Sequence, residues 1–404
     1  MSASPKRKSG WAIIFIAIFF ISPLKAIAVK EPIMRVLIGN ENKARFRADS
    51  LKNIFVQGIS SNHRRIKSLN LVYNNNKVKY SVDNLNTWFE LPNDFNLIIR
   101  NGDKRGIWFK NRRYSGELRV SLNDEKLNII NYLKLEKYLK SVVGSEMPKD
   151  FPFAALQAQA ISARTYALKL IDKNKSFDLH STQASQVYLG LESETSKINR
   201  AVQSTSSLAL FYKNELIDAV FHSSSGGRTE NSGQVWKYQL PYLKSVVDYD
   251  QKSEKYRWTN EFSSVELEKI FSDLGEVNGI QIIEKSNTNR VLKIRIHGTN
   301  GNKIISGKTL REKLQLLSTK FEVDLKFDPI KLDNKLNFYN KIVDNFPLQT
   351  LPPIPKDYFL LVKGYGAGHG VGMSQWGAKS MAERGANFHE ILKHYYSGVQ
   401  IKTY

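Results

Sequence analysis

The chain has 404 residues, with 60 Lys and Arg against 38 Asp and Glu and no cysteine. Apolar residues at 41% and aromatics at 11% suffice for a core and exclude a mainly disordered chain, while the missing thiols exclude disulfide frameworks, iron–sulfur clusters and cysteine nucleophiles. The net charge of +22 points to an anionic partner, and nucleic acid, a membrane surface and a wall polymer all carry the right sign.

The N-terminus narrows that choice. Lys6, Arg7 and Lys8 precede the apolar run Trp11 to Ile21, and Ala26-Ile27-Ala28 is a small-x-small site. A run this short falls below the ~20 residues a helix needs to cross a bilayer but fits the core of a secretory signal peptide. Residues 1–28 therefore read as a signal peptide. An uncleaved anchor is the alternative, and Lys25 stands where a longer span would continue. The leader holds four cations and no acid, so the exported chain keeps +18. Such a protein is periplasmic or associated with the cell wall, with no stable membrane span after cleavage and no nucleic-acid partner.

From 29 to 113 the pattern favours strands: Met34 to Ile38 up to Gly39, Val78 to Val82, and Leu97 to Arg100 before the turn Asn101-Gly102-Asp103. Tyr114 to Leu122 alternates again. Helical spacing then takes over, with Leu135, Tyr138, Leu139 and Val142 on one face and Gly144 as a stop. A second helix is expected from about Asp150 to Leu170, Pro152 in its first turn and six alanines along it. Strands follow at Ser207–Tyr212 and Leu216–Phe221. Next come a helix (Ser263–Leu274), a strand (Val291–His297) and a helix (Thr309–Leu317). A looser segment, about 327–356, leads to a strand at Tyr358–Val362, a glycine-rich stretch and two short helices. Strands and helices mix without a steady βαβ rhythm, so the class is α+β.

Four segments could carry chemistry. Glu146, in Ser145-Glu146-Met147-Pro148, is a candidate general acid if Val142, Val143, Met147 and Phe151 desolvate it. A following helix N-terminus would oppose that, and a capping role is the alternative. Arg164 lies among small apolar residues with Gln157 seven residues before it on the same face. It could pair with Glu146, hold a sugar, or form a structural ion pair. The cluster His222 to Gly227, with Trp236, Tyr242 and Lys244 beyond it, offers hydroxyls and rings that suit a carbohydrate, although Ser/Gly clusters are often plain loops. The stretch Gly364 to Gly377 alternates glycines around His369 and ends in Ser374-Gln375-Trp376. It matches neither a dinucleotide fingerprint nor a nucleophile elbow. His389-Glu390-Ile391-Leu392-Lys393-His394 spaces its histidines at i, i+5 where a zincin needs i, i+4, and Asn387 with Glu390 reads better as a capping box.

In order and wording these segments resemble one family. LEKYLKSVVGSEMPKDFPFAALQAQAISARTYAL (135–168), FDLHSTQASQVYLG (177–190), AVFHSSSGGRTENSGQVW (219–236) and GAGHGVGMSQWGAKSMAERG (366–385) are similar to the stage II sporulation protein D family, also called SpoIID/LytB. The resemblance spans 114–402 and implies a SpoIID-like α+β fold, elongated and multi-lobed. It also implies a peptidoglycan lytic transglycosylase acting on glycan strands stripped of their peptides and leaving 1,6-anhydro-muramyl ends. Carried over by motif, Glu146 is the expected general acid/base and Arg164 an expected active-site residue. The expected substrate-binding residues are Gln157, Ser224, Ser225 and Trp236, with Tyr242, Lys244, His369 and Gln375. Other members enhance an N-acetylmuramoyl-L-alanine amidase, so a non-catalytic wall-binding partner of such an amidase is the alternative. Some relatives bind zinc through cysteines in the stretch matching 177–190. Here His180 and Ser185 take those positions, so no metal and no cofactor are expected.

Overall fold

The computed structural model describes residues 1, 31–49, 53–60, 64–83, 86–101, 103, 105–327 and 358–404. All but the first residue of the expected signal peptide, and nearly all of the looser segment 327–356, lie outside the described residues. Alternation drives the first third of the chain into two antiparallel sheets. In strand Ile33–Glu41, Met34, Val36 and Ile38 are buried and the residues between them are not. This strand pairs with Lys126–Lys134 in a seven-stranded sheet, ordered Leu179–His180, Ile33–Glu41, Lys126–Lys134, Glu117–Asn123, Leu97–Asn101, Ile54–Gln57, Arg65–Ile66. A six-stranded sheet runs Arg112–Tyr114, Ile107–Phe109, Lys43–Arg47, Ser68–Asn74, Lys77–Val82, Phe89–Glu90.

Gly39 does not end its strand as expected. It sits at a register shift against Lys126–Lys134, and a Cβ there would lie 2.8 Å from Phe109 Cζ of the other sheet. Glycine is what lets the two sheets approach at this point.

Strand Lys126–Lys134 runs straight into helix α1, Leu135–Glu146. Tyr138, Leu139, Val142 and Val143 turn its predicted face inward. Helix α2, Phe153–Lys169, is buried nearly all round and packs against α1, α3 (Ser196–Ser204) and the two C-terminal helices, Gln375–Glu383 and Phe388–Tyr395. Its alanines at 155, 158, 160, 163 and 167 are fully buried, which is how one helix admits so many neighbours. The buried residues of the strand-rich part and of these helices form one cluster, so the boundary at 113/114 does not separate two cores.

A second cluster defines a smaller lobe that the chain enters at Arg257 and leaves at Tyr365. It holds two three-stranded sheets, Arg257–Ser263 with Tyr358–Tyr365 and Phe321–Phe327, and Val277–Lys285 with Val291–Gly298 and Gly301–Ser306. Helices Ser264–Ile270 and Gly307–Lys313 pack on them.

The segment Leu216–Phe221, expected as one strand, is two fragments with different partners. Glu215–Leu216 closes a hairpin with Leu208–Tyr212, whereas Phe221–His222 pairs in parallel with Met373–Ser374. The capping box at the last helix is present, with Asn387 Oδ1 accepting from Glu390 N and Glu390 returning a bond to Asn387 N.

Gly377 shows how tightly the C-terminal helices seat. A Cβ there would collide with Asp248 Oδ1 and the Tyr395 hydroxyl, which hydrogen-bond each other at 2.6 Å. Gly377→Ala is expected to lower unfolding stability by about 1–3 kcal/mol, the usual cost of overpacking, as measured by denaturant titration.

Candidate active site

Glu146 is the last residue of α1, since Gly144 does not stop the helix. A Cβ at Gly144 would collide with Ser193 O, so this glycine serves close packing inside the helix. The next residue, Met147, caps α1 through its N–H to Val143 O at 3.0 Å, and α2 begins only after Pro152. Glu146 is therefore at a helix C-terminus, where the dipole disfavours a carboxylate.

The surroundings of Glu146 come from three elements. Its Oε1 accepts the Val187 backbone N–H at 2.7 Å, and its Oε2 accepts from Gln375 Nε2 at 3.4 Å. Val187 is pinned from both sides. Gln186 accepts the Tyr138 hydroxyl of α1 at 3.0 Å and donates to Ala163 O of α2 at 3.3 Å, while the Tyr188 hydroxyl donates to Asn131 at 2.6 Å. Gln375 opens its helix directly after the N-cap Ser374, whose Oγ accepts Gly377 N–H at 3.1 Å. Burial pushes the Glu146 carboxyl above the ordinary glutamate range, and the two hydrogen bonds only partly offset it. Desolvation thus wins the contest that spacing alone left open. Oε1 is held tightly and Oε2 loosely, so Oε2 is the oxygen able to carry and release a proton.

Glu146 lines a cleft of about 1000 Å³ between the two lobes. From the larger lobe come Tyr166, Ser185, His222, Trp236, His369 and Gln375; the smaller lobe adds Arg290, Lys308 and Arg311. The two histidines are set by one residue. Val371 donates its N–H to His369 Nδ1 and presents its carbonyl to His222 Nδ1, each at 3.1 Å. His222 therefore carries its proton on Nδ1 and leaves Nε2 as a bare acceptor with no partner among the described residues. Burial and the nearby Arg290 charge bring His369 down to about 4, and burial with the His369 neighbour also lowers His222, so both rings are neutral near pH 7. The loop that carries His369 needs its glycines: Gly368, Gly370 and Gly372 have φ of +105°, +82° and +71°. The Trp236 ring is 42% exposed, with its centroid 5.2 Å from that of His369.

Three acids line the cleft. Glu230 accepts from the hydroxyls of Ser286 and Thr288 and from Asn231 N–H. Glu312 is exposed and lies 3.9 Å from Lys308. Of the three, Glu146 combines burial with a loosely held oxygen.

Of the expected residues, Glu146, Trp236, His369 and Gln375 meet in the cleft, and the others lie elsewhere. Arg164 pairs with Glu136 rather than Glu146, through bonds of 2.7 and 2.8 Å, and also donates to Leu208 O and Val202 O. Gln157 does share its face, and bonds Ser204 of α3 at 3.0 Å. The hydroxyls of Ser224 and Ser225 point inward, to Asp250 and Asp248. Tyr242 is buried with its hydroxyl donating to Asp218 at 3.0 Å. Lys244 lines a separate shallow depression with Gln234, Lys237 and Gln239. These six do not line the cleft together: Arg164 and Gln157 on α2, and Ser224, Ser225 and Tyr242, spend their polar groups on internal bonds, and Lys244 lies in the separate depression. His180 and Ser185 do not fit a metal. The Ser185 hydroxyl accepts the His180 N–H at 3.1 Å, and the His180 ring sets its edge on Phe177. Sequence reasoning placed His222 in a candidate segment without giving it a role of its own, and missed Arg290 and the Val187 N–H as site groups. A backbone donor leaves no side-chain signal, and Arg290 stands in no motif.

The Stage II sporulation protein family, SpoIID, matches residues 123–212, which hold α1, α2, Glu146 and Val187. The chain is 33% identical over 297 residues to Stage II sporulation protein D of Bacillus subtilis (strain 168), covering 67% of this chain and 75% of that protein. It is 32% identical over 316 residues to an uncharacterized protein of Brachyspira hyodysenteriae (strain ATCC 49526 / WA1), covering 74% and 77%. The Amidase enhancer of Bacillus subtilis (strain 168) is 31% identical over 299 residues, which make up 66% of this chain and 40% of that protein.

Proposed function

Since the chain belongs to the stage II sporulation protein D family, we propose that it cleaves the glycan strands of peptidoglycan as a lytic transglycosylase, preferring strands freed of their peptides. The observation that carries this reading is Glu146, the one buried cleft carboxyl among the described residues that keeps a loosely held oxygen. Ordinary glycosidases need two carboxyl groups flanking the bond. A transglycosylase needs one, because the sugar's own C6 hydroxyl replaces water or a protein nucleophile.

Glu146 donates its Oε2 proton to the bridging oxygen as the glycosidic bond breaks. The C6 hydroxyl oxygen bonds to the anomeric carbon and closes the 1,6-anhydro ring. The Glu146 carboxylate takes the hydroxyl proton, which restores the acid. No water is consumed and no charge is left over. The His222 Nε2 acceptor suits a sugar hydroxyl, and the Trp236 face suits a pyranose ring. Trp236→Ala is expected to weaken binding of a peptide-free glycan oligomer about tenfold, read by calorimetry. Arg164 serves as a positioning residue that holds α1, and so its terminal Glu146, against α2.

The assay incubates the purified protein with amidase-stripped glycan and looks by mass spectrometry for 1,6-anhydro-muramyl ends. Their absence with the folded wild-type protein would sink the proposal. The Amidase enhancer among the relatives favours a second reading, a cell-wall protein that stimulates an amidase without cutting glycan. On that reading amidase stimulation survives in Glu146→Gln and no anhydro ends appear with either protein. No helix of the described residues is long and apolar enough to cross a membrane, and the exported, wall-associated location belongs to this proposal.

A further inference from the structure

One group in the cleft has no place in the reaction just described. Arg290 is 1% exposed and lines the cleft, yet forms no ion pair with a carboxylate among the described residues. Its Nη2 donates to Ser225 O at 2.8 Å, while its Nε and Nη1 have no partner among the described residues. Of the acids that act on it, Glu230 has the larger influence and its oxygens are taken by the Ser286 and Thr288 hydroxyls and the Asn231 N–H, while Asp250 accepts from Ser224 and the Gly226 and Gly227 N–H groups. The backbone around Arg290 is fixed, since Ser286 N–H donates to Arg290 O at 2.8 Å and Arg290 N–H to Ser286 Oγ at 3.2 Å. The guanidinium also lies against Gly370, where a Cβ would collide with it. Burial lowers Arg290 only to about 10, so it stays charged near pH 7.

A buried, charged, incompletely bonded guanidinium is costly to fold around. Lys308 and Arg311 line the same cleft, and Lys320 adds to the positive field while donating to Gly226 O at 2.8 Å. We propose that Arg290 forms an anion subsite of this cleft, and that its ligand is a carboxylate borne on the glycan itself, the lactyl carboxylate of a muramyl residue whose peptide has been removed. This rests on the glycan reading above. A peptide-bearing muramyl residue has an amide at that position and lacks the charge, so Arg290 distinguishes stripped from unstripped strands. The guanidinium is suited to the task because it stays ionised and donates from a planar array to a carboxylate.

The test measures binding in the full-length Glu146→Gln background, which prevents turnover. Three glycan oligomers of equal length are compared by calorimetry: peptide-free, peptide-free with its carboxyls converted to methyl esters, and peptide-bearing. Esterification is expected to raise Kd about tenfold or more, as for loss of a charge-assisted hydrogen bond, and the peptide-bearing oligomer is expected to match the ester. Adding Arg290→Gln should raise Kd for the native oligomer by the same factor and abolish the difference between native and ester. Equal affinity of the Arg290-containing protein for native and ester overturns the subsite while leaving the glycan reading intact, and needs no Arg290 variant to fold. Peptide-bearing chains that bind as tightly as native stripped ones, or an Arg290→Gln protein that still discriminates, also overturn it. Failure to bind any of the three overturns the glycan reading and the subsite with it.

Discussion

Glu146→Gln is expected to fold, to bind peptide-free glycan, and to release anhydro ends about 10²–10⁴-fold more slowly than the wild type, the range over which a positioned acid contributes. Gln keeps the shape and can still meet the Val187 N–H and the Gln375 amide, but has no proton to give. The pH dependence gives an independent check. The resting enzyme must hold Glu146 protonated, so kcat/KM should be flat on the acid side and fall as pH rises through its folded-state pKa. Burial raises that value, so the limb should lie above the ~4.3 of an ordinary glutamate. Histidines are the common source of a limb near neutrality, but His369 titrates at about 4 and His222 is also lowered.

The same shift has a sign in stability. A carboxyl whose pKa is raised by folding contributes its full stability below its unfolded pKa and loses it as pH rises through the folded one. At pH 7 the wild type therefore bears the cost of a buried carboxylate, and Glu146→Gln should melt at a higher temperature. Near pH 4 the two proteins should melt together. A variant both inactive and less stable at pH 7 would place Glu146 among structural groups instead.

What could be read from the chain depended on how local the determinant was. The face of α1 follows from Leu135, Tyr138, Leu139 and Val142, because a helix writes its contacts at spacings of three and four. The end of α1 was misread because Gly144 is small for Ser193, a neighbour 49 positions on in the chain. Leu216–Phe221 looked like one strand because five of its six residues are apolar, yet its last residue, Phe221, pairs with a segment more than 150 residues later. Among site residues, Glu146, Trp236, His369 and Gln375 stood in long motifs. Ser224 and Ser225 stood in a motif too, but one whose hydroxyls hold Asp250 and Asp248 and thereby shape the loop beneath the cleft. A motif marks where constraint is dense; it does not separate groups that touch a ligand from groups that hold those groups.

Arg164 is the sharpest case of that distinction. Its side chain is fully buried, it grips Glu136 with two bonds, and it donates to two carbonyls of the α3 and Leu208–Tyr212 segments. Glu136 is in the first turn of α1 and Glu146 is its last residue, about 15 Å along the axis at 1.5 Å per residue. Arg164→Ala should therefore cost about 3 kcal/mol of unfolding stability, the lower end for breaking a buried pair because Glu136 is partly exposed. Activity should fall through kcat, with KM little changed. The alkaline limb of the pH profile should move toward the ordinary glutamate value, because a loosened α1 lets water reach Glu146. Arg164→Lys keeps the charge but not the two-point grip, and should recover only part of the stability and part of the shift. If Arg164 instead held substrate directly, its loss would raise KM and leave both the melting temperature and the limb where they are.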